Sequence, residues 1–208
     1  MKQLYLTNTK TKLLAIVANE RGSSEVLSYD QISYIGYPFS ISENFQMRNT
    51  NTTIEDSLLL LNRLVEHASS VNRELVVYLS MGFGNPYGDP WSPALVADWV
   101  SRLVDMGVKR ISLSDTVGLA QPKTITDLFE HLLQAYPDIV FGAHLHAKPN
   151  EATSKIKAAY AGGCSAFDSA IRGLGGCPMA KDELTGNVPT EKLLSFLTAQ
   201  KAQFSVNM

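Results

Sequence analysis

The chain has 208 residues, 45% of them hydrophobic and 18% charged, with a formal net charge of −2. It is long enough for one sizeable core and carries no electrostatic pull towards nucleic acid. Two cysteines make no disulfide framework, no apolar run approaches a membrane span, and Met1–Thr7 has too little apolar and cleavage-site character for a signal peptide. The expectation is one soluble domain, 1–208, in a reducing cytoplasm, with neither nucleic acid nor membrane as partner.

Short β-branched runs alternate with amphipathic stretches, the pattern of βα units around a parallel sheet. A strand is predicted over Lys12–Val17, with Asn19 and Glu20 at its end, and a second over Gln31–Ile35, followed by Ser42 and Glu43. A helix over Ile54–Ser69 leads to a strand at Leu75–Leu79, then to Tyr87 and a helix over Ser92–Met106. The strand at Arg110–Leu113 runs to Asp115 and Thr116 before a helix over Thr124–Ala135. The next, Ile139–Phe141, leads into His144-Leu145-His146 and a helix over Ala152–Ala161; a strand at Ala166–Asp168 and a helix over Thr190–Gln200 complete the series. Several helices open on a Ser, Thr or Asn cap. About six βα units are counted, and in an α/β barrel their polar strand ends converge on one mouth, where active sites of that fold sit.

Residues two apart on a strand share a face, so His144 and His146 can reach one divalent ion; a histidine beside an apolar run is also a common structural residue. The glycines of Gly173-Leu174-Gly175-Gly176-Cys177-Pro178 let the backbone bend and approach a substrate, which places Cys177 on a mobile loop as a reactive thiol. Cys164, before an apolar strand, reads as a small buried hydrophobe. Asp115 suits either a cap on the following helix or a role in a site.

The stretch from Ser169 to Ala180 resembles the active-site signature of the hydroxymethylglutaryl-CoA lyase family, in which a cysteine lies on a glycine-rich loop after the last barrel strand. The likeness extends to Asn85-Pro86-Tyr87, to the run Ile111 to Gly118, to the histidine pair, and to Thr185-Gly186-Asn187 followed by Thr190-Glu191. It implies a (β/α)8-type barrel that is incomplete, its first two units missing. It implies that His144, His146 and Asn187 bind magnesium or manganese, that Cys177 is catalytic, that Asp115, Tyr87 and Glu191 lie at or near the site, and that Gly175 and Gly176 form the substrate loop. The implied reaction is cleavage of 3-hydroxy-3-methylglutaryl-CoA to acetoacetate and acetyl-CoA, a step of leucine degradation, with an acyl-CoA as partner. Oligomeric state is open, a homodimer being common in the family.

There are departures from the family pattern. The Arg-Asp pair of the family's first strand and the glutamate of its second are absent, so a chain beginning at Met1 is expected to show no lyase activity alone and to leave sheet edges that something must cover. Ala147-Lys148-Pro149-Asn150 follows the histidines where the family has Asp-Thr and a glycine, removing a carboxylate that orients a ligand. Arg172 replaces a small residue and suits either a CoA phosphate or solvent, and the segment from Cys177 to Asn187, through Lys181-Asp182-Glu183-Leu184, is one residue longer than usual. Two alternatives therefore stand beside the lyase. One is a catalytically inactive acyl-CoA-binding paralogue or fragment. The other is a Claisen-condensing enzyme of the homocitrate or isopropylmalate synthase type, which typically carries a Gly-Glu-Arg motif where this chain has Gly-Gly-Cys-Pro.

Overall fold

The computed structural model describes residues 9–177 and 185–204. The readings of Met1–Thr7 and of the lengthened segment after Cys177 lie outside these residues. Six strands follow one another across the sheet in chain order: β1 (Leu13–Ile16), β2 (Ile32–Ser40), β3 (Glu74–Ser80), β4 (Arg110–Asp115), β5 (Val140–Ala147) and β6 (Ala166–Phe167), with β7 (Gly186–Asn187) beside β5. The chain divides into two compact units, the first taking in residues up to Ser80, Tyr87–Ser112 and Asp138–Val140, the second Met81–Pro86, Leu113–Pro137 and residues from Phe141 onward.

In the first unit β2 pairs in parallel with β1 on one side and β3 on the other. The β2–β3 register is unbroken from Tyr34↔Glu74 to Ser40↔Ser80. Ile35, Tyr37, Phe39, Val77 and Leu79 are buried, as expected where helices cover a parallel sheet. A Cβ on Gly36 would lie 2.5 Å from Ile16 and 2.9 Å from Tyr78, so glycine here makes room for side chains from both flanking strands.

Among the described residues this unit has the helices α1 (Glu20–Leu27), α2 (Glu43–Thr50), α3 (Ile54–Ser70) and α4 (Pro93–Asp105). Helix α3 buries Ser57, Leu61, Leu64 and Ala68, one stripe at helical spacing, and α4 buries Val96, Val100 and Leu103. Truncating one such leucine costs about 2–5 kcal/mol.

Helices α1 and α2 are not expected from the sequence, and their presence corrects the roles expected of the first two strand ends. Asn19 is the N-cap of α1, its Oδ1 accepting the Gly22 amide at 2.8 Å, and Glu20 pairs with Arg63 at 2.6 Å. Ser42 is the N-cap of α2, its Oγ accepting the Phe45 amide at 3.2 Å, while Glu43 accepts the Ile54 amide. Both helices are only eight residues long and mostly polar, so their caps and tertiary contacts are needed to hold them.

The second unit holds the end of β4, most of β5, then β6 and β7, with helices α5 (Pro122–Ala135), α6 (Ala152–Ala161) and α7 (Thr190–Ala199). Helix α5 buries Ile125, Leu128, Phe129 and Leu132. Strand β6 lies parallel to β5 (Gly142↔Ala166, Ala143↔Phe167), and β7 runs antiparallel to it (His146↔Asn187, Ala147↔Gly186). Strand β5 runs on to Ala147, so the two histidines lie on the strand as their expected shared face requires, and β6 and β7 pair its Gly142, Ala143, His146 and Ala147. Cys164 is buried, as expected, and burial pushes its thiol up to about 12.

Candidate active site

Strand β5 puts His144 and His146 on one face, their ring centroids 5.2 Å apart. Each imidazole is oriented by an acceptor at Nδ1: Asp168 Oδ2, at the end of β6, lies 3.0 Å from His144, and the Thr116 carbonyl, just past β4, lies 2.8 Å from His146. A carbonyl accepts and cannot donate, so Nδ1 of His146 carries the hydrogen and Nε2 of the neutral ring keeps its lone pair; the Asp168 carboxylate likewise takes a hydrogen from Nδ1 of His144. His146 is buried, and its pKa is lowered to about 4, first by burial and then by the neighbouring His144. It is therefore neutral at physiological pH, the state that binds metal.

Asn187 faces His146 across the β5–β7 pairing, and its side chain favours a proton on that ring. The same side chain holds the glycine loop: its Nδ2 donates to the Leu174 carbonyl at 2.8 Å, and its backbone amide donates to the Gly175 carbonyl at 3.1 Å. Gly173 and Gly175 have φ of +68° and +81°, and a Cβ on Gly173 would lie 2.8 Å from the Asn187 carbonyl. Glycine is required there both by backbone conformation and by close approach. The loop expected to be mobile is thus tied to β7 along Leu174 and Gly175, and it carries Cys177, a half-buried free thiol.

The other expected site residues make the following local contacts. Asp115 does not cap α5, whose N-cap is Gln121. It is buried, with Oδ1 accepting the Ala120 amide at 3.0 Å and Oδ2 2.6 Å from the Lys155 ammonium. Burial pushes its carboxyl up, against the opposing pull of Lys155 and of backbone amides. Glu191, at the start of α7, accepts the Arg172 amide on both carboxylate oxygens at 3.1 Å. This holds Arg172 in a left-handed conformation (φ +59°) just before the glycines, with its side chain exposed. Tyr87 belongs to the first unit, where its ring lies 5.0 Å from the Arg48 guanidinium.

Lys155 and the part played by Asp168 are not among the residues expected from the sequence. A signal for the lysine exists. Ala152, Lys155, Ile156 and Ala159 are buried together on α6, so the lysine interrupts a buried stripe where only a partnered charge is tolerated.

His144, His146 and Asn187 form a compact set of two imidazoles and one amide whose tautomers and orientation are fixed in advance, a donor set that fits a divalent cation. Among the described residues no group of three or more His, Cys, Asp and Glu does so, and the set itself contains no carboxylate or thiolate. A cavity of about 460 Å³, lined in part by Gly118, Gln121, Lys148, Ser154, Lys155 and Thr185, includes none of these three residues in its wall.

The HMGL-like family model matches residues 31–208. The chain belongs to the HMGL-like family. The mitochondrial hydroxymethylglutaryl-CoA lyase of Rattus norvegicus is 32% identical over 195 residues, 93% of this chain and 59% of that protein. The cytoplasmic 3-hydroxy-3-methylglutaryl-CoA lyase of Homo sapiens is 34% identical over 178 residues, 86% of this chain and 47% of that protein. The crystal structure of the hydroxymethylglutaryl-CoA lyase from Pseudomonas aeruginosa superposes with a TM-score of 0.86 at 32% identity, covering 97% of this chain and 67% of that one. The resemblance and the incomplete barrel expected from the sequence are borne out, and the chain spans about half the length of the curated relatives it matches. The expectation of a cytoplasmic protein is corrected: most such relatives, those of Rattus norvegicus and Macaca fascicularis among them, are mitochondrial, so membership of the family does not place this chain in the cytoplasm.

Proposed function

We propose that this chain is the catalytic barrel portion of a metal-dependent carbon–carbon lyase that cleaves 3-hydroxy-3-methylglutaryl-CoA to acetoacetate and acetyl-CoA. The observation that carries this reading is the joining, through Asn187, of the oriented histidine pair to the glycine loop that bears Cys177. The cleavage needs a tertiary hydroxyl to lose its proton while the departing thioester carbon becomes an enolate and then takes a proton. His144, His146 and Asn187 would hold a divalent cation, magnesium or manganese, and that ion would supply Lewis acidity at the substrate hydroxyl and help to orient the substrate. The chain's own residues supply the rest. Asp168 and Thr116 keep the imidazoles aimed. Asn187 and Glu191 set the course of the loop, and Cys177 supplies the thiol that moves a proton at the reacting carbon.

A second reading, an inactive paralogue that binds an acyl-CoA, is favoured by one observation: the histidine pair has no third charged ligand among the described residues. The deciding experiment measures acetoacetate release with added magnesium or manganese, using the longest natural polypeptide that contains this chain. Release that Cys177→Ala abolishes supports the lyase. Binding of the acyl-CoA by calorimetry without release replaces it with the second reading.

A further inference from the structure

Lys155 is a lysine only 3% exposed, held on α6 among apolar neighbours. Its ammonium has three donors, and each has an acceptor: Asp115 Oδ2 at 2.6 Å, the Gly118 carbonyl at 2.9 Å and the His146 carbonyl at 2.9 Å. These come from the end of β4, the turn after it, and β5. One cation thus fastens three backbone segments at a single point.

Asp115 completes the arrangement from the other side. Its second oxygen accepts the Ala120 amide, closing the turn from Asp115 to Ala120, and the same turn supplies the Thr116 carbonyl that takes the Nδ1 hydrogen of His146. Thr116 is itself fixed, its Oγ1 accepting the Met81 amide at 2.8 Å. His146 is therefore gripped twice, its carbonyl by Lys155 and its ring by a turn that Lys155 and Asp115 hold in shape. A buried ion pair is a poor source of net stability, since apolar residues of similar volume often serve as well, so its value here lies in geometry.

We propose that Lys155 is a positioning residue for the histidine pair, fixing the backbone and the ring tautomer of His146 through Asp115 and the turn that follows it. Asp115, with both oxygens engaged and the carboxyl buried, acts with it as a positioning residue and not as a proton-transfer group. The proposal rests on the lyase reading only in expecting a cation at the histidines.

The test compares the unsubstituted protein with the double variant Asp115→Asn/Lys155→Met, which removes both charges together and leaves neither unpaired. Mn2+ affinity is measured by the spin resonance of free Mn2+, with His146→Ala as control, and the His146 ring tautomer is read by 15N-resolved NMR of the metal-free protein. The expected result is a roughly 10- to 100-fold loss of Mn2+ affinity in the double variant. Its Nδ1–H signal is expected to give way to a mixture of tautomers, while thermal unfolding shows a cooperative fold. Affinity within twofold of the unsubstituted protein, with an unchanged ring signal, overturns the proposal. If the unsubstituted protein binds no Mn2+, the lyase reading fails, and the tautomer measurement alone decides the role of Lys155.

Discussion

The two units use the same kinds of residue at their strand ends for different purposes. In the first, Asn19 follows β1 and Ser42 follows β2, and each gives its side-chain oxygen to the open amides of a short helix. Asp89 joins the second cap, taking hydrogen bonds from the Ser42 hydroxyl and from the side chain and backbone of Asn44. In the second unit, Asp115, Thr116, His144, His146 and Asp168 bind one another, Lys155 or backbone carbonyls from other strand ends. Polar groups spent on caps satisfy the helices and leave little over for chemistry. Polar groups spent on one another create a buried, oriented cluster, which lowers the pKa of His146 and presents its ring lone pair in a chosen direction.

The largest effect that separates the two is the loss of one member of a buried pair. Asp115→Ala leaves the Lys155 ammonium without its counter-charge in a buried site, and a destabilisation of about 3–5 kcal/mol is expected. Ser42→Ala removes a single cap from α2 and is expected to cost about 1 kcal/mol. Urea unfolding of both variants checks the ratio. Equal costs would mean that the buried pair is no more than another surface-grade contact, and the contrast between the units would fall with it.

A second difference depends on pH. The unfolded chain protonates histidine near its ordinary value of 6.5, whereas His146 in the folded chain takes a proton only near about 4, because burial and then His144 oppose the charge. Its contribution to stability is therefore full above 6.5 and falls as pH drops towards 4, by about 2–3 kcal/mol, since a tenfold change in proton affinity corresponds to about 1.4 kcal/mol. Unfolding midpoints between about pH 7.5 and about pH 4.5, measured with a chelator present, should fall with acid, and His146→Gln should flatten that dependence. A slope unaffected by the substitution would assign the acid sensitivity to other groups.

Much of this division is legible in the sequence, and the omissions have physical causes. The apolar pattern places α6 residue for residue, and α3, α4, α5 and α7 to within two residues at either end, because their stripes are long and periodic. Helix α2 escapes because its eight residues carry no apolar stripe, and α1 because eight mostly polar residues are too short to stand out; only Asn19 and Ser42, which also suit a site, mark where they begin. The two-residue strand β7 exists by pairing with β5, so a sequence holds no local trace of it. The histidine pair, Asn187 and the glycine loop are visible as motifs. That Asp115 is locked by Lys155 is not, because the partners lie forty residues apart and nothing in local spacing connects them.

The smallest expected effect gives the closest matched test, since it makes one substitution on each side of the comparison. Asn19→Ala removes the acceptor for the Gly22 amide at the start of α1 and should cost about 1 kcal/mol, with Asn19→Asp close to neutral because aspartate caps as well as asparagine. The exposed Glu20–Arg63 pair in the same turn adds little to that figure. Mn2+ affinity should not change, because the cap touches none of the proposed ligands. Asn187→Ala should be similar in unfolding free energy, losing an exposed hydrogen bond to the Leu174 carbonyl, yet it removes the amide that meets the His146 ring and the tie that holds the Cys177 loop. Its Mn2+ affinity should drop by about 10-fold or more, the scale found when a metal site loses an orienting or ligating group. Two asparagines of like cost to the fold and unlike cost to the site would show that the division lies in what their side chains meet. If both variants bind Mn2+ as the unsubstituted chain does, Asn187 is a loop anchor alone and the proposed ligand set shrinks to the two histidines.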